Sequence, residues 1–229
     1  MNILKHIKMK KSTLILATIL ISMVAQAQTE TSLKQTGNES QDIQTLLKKP
    51  DRIGWWVSGD FAWTQIDDQD AFLGGLGGGI IINHAISVGI AGYGIMNSQS
   101  LQYSKIKDTL DVNIYGGYGG LKLEYRLYPL KKINVAFPVL IGAGGIAYST
   151  YNRDSWHNSN RNKDGSNTYA WDSFFVIEPG IALGINLQKW MRVDIGTSYR
   201  YAPGIDLPNT NDDFLNGFNA NMSLKFGSF

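Results

Sequence analysis

The chain has 229 residues, 21 Lys and Arg against 19 Asp and Glu, a formal charge of +2, and no cysteine. The absence of thiols excludes zinc–thiolate sites, cysteine nucleophiles and disulfide staples. The net positive charge comes from the first residues: Lys5, Lys8, Lys10 and Lys11 precede TLILATILISMV, and the small-x-small site Ala25-Gln26-Ala27 follows. Together these form an export signal over 1–27, too short in its apolar part for the ~20 residues of a spanning helix. Removing it takes away four lysines, so the remaining 202 residues carry −2. No basic patch points to nucleic acid.

Residues 28–52 come next. QTETSLKQTGNESQ is polar and poor in apolar residues, the composition of a disordered lead-in. QDIQTLLKKP supports one or two helical turns ending before Pro50.

From Ile53 to Phe229 no helical period persists. Alternation of period two recurs instead, broken by polar turns. Eight strands are expected, at about 53–64, 71–82, 85–96, 112–128, 133–149, 170–187, 190–202 and 214–228. Most reach the ~9–11 residues that a tilted strand needs to cross a bilayer. In 191–201, Met191, Val193, Ile195, Thr197, Tyr199 and Tyr201 alternate with Arg192, Asp194, Gly196, Ser198 and Arg200. In 214–226 the even positions, from Phe214 to Phe226, form the apolar face.

The connections alternate in character. QIDDQD, NSQSLQYSKIKDTLD, TYNRDSWHNSNRNKDGSNTYA and PGIDLPNTNDDF are polar, and three of the four are long. NH, PLKK and QKW are short. Short turns at one end and long loops at the other are the pattern of an outer-membrane barrel.

The string VLIGAGGIA (139–147) spells a dinucleotide fingerprint, with Gly142, Gly144 and Ala147 at its key positions. That site needs a helix to open at the last glycine. An Asn/Ser/Asp-rich loop follows instead, so the string is expected to be the fifth strand, with Gly142 and Gly144 on the inner face. Other glycine clusters, GGLGGG, GIAGYG and GGYGG, suit strand curvature and a narrow interior. Pro138, inside the same strand, lacks a ladder donor.

Nine charges fall on the expected inner face: Asp60, Lys122, Glu124, Arg126, Glu178, Arg192, Asp194, Arg200 and Lys225. An eight-stranded barrel is just wide enough for side chains to fill. These nearly balanced charges are expected to pair with one another, Glu178 with an arginine among them. Trp55, Trp56, Trp190 and Tyr128 are expected as an aromatic girdle at the short-turn end, and Trp63, Tyr151, Trp171 and Tyr201 at the other. Ser155 and His157 share the longest loop, but no nucleophile elbow surrounds them. No residue is singled out as catalytic, cofactor-binding or metal-binding, and no cofactor is expected.

The run IEPGIALGINLQKWMRVDIGTSYRY (177–201), with INHAISVGIAGYG (82–94), resembles hairpins of the small outer-membrane β-barrel proteins of gram-negative bacteria, the eight-stranded OmpA-like or porin-like group. The resemblance implies an all-β fold, an eight-stranded antiparallel transmembrane up-and-down β-barrel over 53–229, preceded by a periplasmic segment over 28–52. It implies residence in the cell outer membrane, with outer-membrane lipid and the barrel assembly machinery as partners. A further extracellular or membrane-protein partner is expected through the outer loops, and no nucleic acid. The group has no single activity. The expected function is a structural or surface-interaction role without catalysis. A lipid-modifying enzyme and a soluble lipocalin-like binder are the alternatives.

Overall fold

The computed structural model describes residues 51–66, 69–96, 102–103, 112–151, 166–208 and 210–229. The predicted export signal, nearly all of the lead-in, and most of the connections NSQSLQYSKIKDTLD and TYNRDSWHNSNRNKDGSNTYA lie outside the described residues.

Alternation of side chains along extended backbone produces long strands: β1 Ile53–Ile66, β2 Gln69–Ile82, β3 Ile86–Ile95, β5 Val112–Leu127, β6 Ile133–Tyr151, β7 Ser166–Gln188, β8 Met191–Arg200 and β9 Gly217–Gly227. A two-residue strand, β4 (Gln102–Tyr103), extends the edge of β5. Every pairing is antiparallel. β1 pairs with β2 and β9, neighbours follow in chain order, and β3 pairs with β5, so the sheet closes into an eight-stranded up-and-down barrel.

Burial follows the period-two pattern. Along β1 every second residue is buried, from Gly54 to Ile66. All nine charges expected inside are buried. The outward face carries Leu76, Ile90, Leu183 and Ile195, each more than half exposed.

The strands depart from the expected bounds at the loop end. The first connection shrinks to residues 67–68, because Gln65 pairs with Asp70 and Ile66 with Gln69. β7 begins at Ser166, four residues earlier than expected, and β6 runs to Tyr151. β9 begins only at Gly217, so Phe214 is not on a lipid-type outward face. It is buried with Leu215 in the turn before the strand.

At the short-turn end, Asn83 and His84 both have positive φ, 51° and 62°. The Ala85 amide donates to the Ile82 carbonyl at 3.1 Å, closing a β-turn of the primed kind within a three-residue connection, since Ile82 pairs with Ile86. Asn186 fastens the turn after β5: its side-chain amide donates to the carbonyls of Lys131, at 2.7 Å, and Pro129, at 3.0 Å.

Pro138 finds its explanation in its neighbour across the ladder. Pairing between β6 and β7 is interrupted between Ala136–Ala182 and Val139–Pro179. Pro138 lies within this gap and Pro179 at its edge, so the missing donors cost the ladder one interruption rather than two. The Pro138 ring lies against Gly180, where a Cβ would meet its Cγ.

VLIGAGGIA is a strand, as expected. A Cβ on Gly142 would collide with the Gly119 carbonyl of β5, and one on Gly144 with the Phe174 ring and the Gly117 carbonyl. The glycines allow close approach of backbone and of an interior aromatic ring, not of a pyrophosphate.

Candidate functional site

The barrel interior is layered. Starting at the short-turn end, the Arg192 Nε donates to Asn186 Oδ1 at 2.6 Å, and its guanidinium lies 4.2 Å from the centre of the Phe229 ring. The C-terminal aromatic therefore sits beyond the strand end, against Arg192. Trp56 also faces inward and is 3% exposed, whereas Trp55, Trp190 and Tyr128 stand outside. Its place is in the interior rather than in the expected girdle, with the Lys225 ammonium 5.4 Å from its ring.

Next comes a four-membered ring of alternating charge. Arg126 Nη1 donates to Asp194 Oδ1 at 3.0 Å and Nη2 to Asp194 Oδ2 at 2.6 Å. Arg126 also meets Glu124 at 2.6 Å, and Lys225 Nζ bridges Glu124 at 2.5 Å and Asp194 at 2.8 Å. Two cations and two anions cancel, and Asn134 Oδ1 accepts one further bond from Arg126. Above it Lys122 pairs with Asp60 at 3.2 Å, and Tyr93 and Ser58 donate to the same carboxylate oxygen.

Glu178 differs from expectation. It takes no arginine. Tyr118 donates to Oε2 at 2.6 Å, while Ser198 and Asn219 donate to Oε1 at 2.5 and 2.8 Å. Three neutral donors satisfy the buried carboxylate in place of a cation. Arg200 is likewise held by neutral acceptors: Nε donates to the Leu215 carbonyl at 2.7 Å, and the guanidinium lies 5.7 Å from the Tyr118 ring. A cavity of about 60 Å³ lies among Asp60, Lys122, Glu178, Ser198 and Lys225, large enough for one or two waters.

The loop end is apolar. Ile66, Leu73, Ile114, Ile146, Tyr148, Phe174 and Val176 of the strands meet Ala202, Ile205, Leu207, Phe214 and Leu215 of the last long connection. That connection, polar in composition, folds its few apolar residues into the barrel mouth as a plug. No sequence period marks it; only the four large apolar residues within a Pro/Asn/Asp-rich stretch were a signal.

Ser155, His157 and Trp156 lie outside the described residues, as do Arg161 and Lys163 of the same connection. Among the described residues no group of His, Asp and Glu is placed to hold a metal ion.

A closed up-and-down barrel that is apolar outside and charged inside inverts the plan of a water-soluble barrel. The class this defines is the small transmembrane β-barrel. Among the described residues no helix is long and apolar enough to cross a membrane. No protein-family model matches the sequence and no curated protein matches it.

Solved structures do resemble the chain. Neisserial surface protein A is 9% identical, with a TM-score of 0.47 over 77% of this chain and 97% of that one. Ail of Yersinia pestis, crystallised with the heparin analogue sucrose octasulfate, is 11% identical, with a TM-score of 0.44 over 76% and 97%. The N-terminal β-barrel domain of Pseudomonas aeruginosa OprF is 10% identical, with a TM-score of 0.39 over 76% and 96%.

Proposed function

We propose that the protein is an integral barrel of the bacterial outer membrane with a structural or surface-interaction role and no catalytic activity. The observation that carries this reading is the reversal of polarity across the wall. Leu76 and Ile90 are 75% and 72% exposed on the outside, while Arg126 and Arg200 are 2% and 1% exposed within. Burying that outer face is worth roughly 25 cal/mol per Å² of apolar surface, and lipid provides the burial that water denies. The soluble lipocalin-like alternative needs the opposite arrangement.

The interior supports a role carried out at the surface. Six of its nine charges pair with one another, neutral partners hold the other three, and its mouth is plugged, so neither a wide channel nor a substrate chamber is left inside. The short turns would lie in the periplasm with both ends of the barrel chain, and the long connections outside. Outer-membrane lipid and the assembly machinery for such barrels are the partners this placement requires. A partner reached through the outer loops is the remaining one.

The test is trypsin added to intact cells, followed by detergent extraction of membranes. Cleavage at Arg153, Arg161 or Lys163 with Lys131 and Lys132 spared, and extraction only by detergent, is the expected result. Cleavage first at Lys131 or Lys132, or release by salt alone, overturns the placement.

A further inference from the structure

We infer that the loop-end rim carries a binding site for a neutral sugar ring, between the outer wall of β1 and β9 and the turn at 211–216. The site gives a ligand class to the surface-interaction role proposed above and rests on that reading. An open cavity of about 440 Å³ lies there, lined by Trp63, Gln65, Asn211, Asp213, Asn216 and Phe218. Small-molecule sites fall at roughly 300–1,000 Å³ and combine apolar walls with a few placed polar groups.

The aromatic walls are made by register. Trp63 pairs across the ladder with Ala220, and the small side chain leaves space beside the indole. Phe218, 73% exposed, stands one outward position nearer the rim. Tyr199 meets it edge-on at 5.0 Å and fixes its ring. A pyranose presents a face of C–H groups, slightly positive, which complements the negative face of an aromatic ring.

The polar wall is held from below. Phe214 and Leu215 are buried in the mouth, and the Leu215 carbonyl accepts from Arg200. The Phe214 amide donates to the Asn211 carbonyl at 3.1 Å and the Asn216 amide to the Asp213 carbonyl at 2.8 Å. Asn216 Oδ1 accepts from the Ala202 amide at 2.7 Å, which leaves its NH₂ group for a ligand. The side-chain amides of Gln65 and Asn211 and the Asp213 carboxylate are exposed, with donors and acceptors suited to sugar hydroxyls. The single carboxylate disfavours phosphate or sulfate, which selects a neutral sugar over an anionic one.

The test uses the purified, folded full-length protein in nanodiscs, labelled with ¹⁵N, and titrated with maltotriose, cellotriose and chitotriose. The same trisaccharides are then presented as glycolipid head groups within the disc. Shifts at the Trp63 indole N–H and the Asn211 and Asn216 side-chain amides are expected, weakened at least tenfold by Trp63→Ala. Asn211→Ala and Asp213→Ala, on an exposed turn, should weaken binding without disturbing the barrel. Binding of the soluble sugars assigns the site to free or opposing glycans. Binding of the head groups alone assigns it to a glycolipid of the same membrane. The inference is overturned by no shift with any trisaccharide in either form, by shifts that survive all three substitutions, or by spermidine occupying the site in preference to every sugar. The trypsin experiment decides the membrane placement independently, so the two readings fail separately.

Discussion

Arg126 of β5 and Asp194 of β8 meet across the barrel interior in a two-point ion pair, at 3.0 and 2.6 Å, between strands that are not neighbours in the wall. The pair ties opposite sides of the barrel together through its centre. Glu124 and Lys225 complete a neutral ring around it. Removing one member leaves an uncompensated buried charge, which costs about 3–5 kcal/mol. Asp194→Asn should therefore lower the unfolding free energy, measured by urea titration of the protein folded in lipid vesicles, by an amount in that range. Replacing all four charges together by apolar residues of similar volume should cost much less than Asp194→Asn. A single substitution as mild as the fourfold one would show that the ring contributes nothing.

Leu183 and Gly184 are adjacent on β7 and face opposite sides of the wall. Leu183 is 57% exposed outside, where an arginine near the bilayer midplane costs about 2–4 kcal/mol. Gly184 faces the ion ring, and a Cβ there would land on Asn134 Oδ1, Arg126 Nη1 and Asp194 Oδ1. Gly184→Ala should thus impair folding comparably to Leu183→Arg, despite its single methyl group. Gly204→Ala, strained only by its φ of 81° and with nothing near its Cβ, is the control and should lose less. Equal yields of folded protein from Gly184→Ala and wild type would remove the packing argument for that glycine.

The strand pattern was legible because period two is a local property: Arg192, Asp194 and Arg200 are separated by even steps and must share a face. The same parity with Asp60 puts Trp56 inside, a signal that the aromatic clustering of Trp55 and Trp56 obscured. Partner choice was not legible. Glu178 is satisfied by Tyr118, Ser198 and Asn219, from three other strands, and only the register of the closed barrel decides which of them reach it. The plug formed by Ile205, Leu207, Phe214 and Leu215 was hidden because an irregular segment has no period to betray its buried side. The rim cavity was hidden with it, since the turn that supplies Asn211 and Asp213 is positioned by those buried residues.

His84 occupies the second central position of the β-turn Ile82–Ala85 at a φ of 62°, beside Asn83 at 51°. Asn tolerates the left-handed region and Asn-Gly is the favoured pair for such turns. His84→Gly should raise stability by about 0.5 kcal/mol: relief of roughly 1–2 kcal/mol of left-handed strain is offset in part by the roughly 0.5–1 kcal/mol of extra backbone entropy that glycine loses on folding. Pairing of Ile82 with Ile86 should be unchanged. A lower urea midpoint for His84→Gly would mean that the imidazole contributes contacts at the turn that outweigh the strain.

The barrel should not behave as a porin. Three successive obstacles fill its interior: the Arg126–Asp194–Glu124–Lys225 ring, the Asp60–Lys122 pair with Tyr93, and the apolar plug at the mouth. Open aqueous channels need roughly 16–18 strands, and eight leave room only for side chains. Phe214→Ala removes the largest plug residue and should destabilise the protein by about 3–5 kcal/mol through the cavity it leaves. It should not open the barrel, because the charged layers lie below the mouth and close it independently. Purified wild type and Phe214→Ala in planar bilayers should both show no steady, porin-like conductance. Large steady currents through wild type would contradict the packed interior as a whole. Currents that arise only in Phe214→Ala would instead make the plug the sole barrier, and the charged layers wet enough to pass ions.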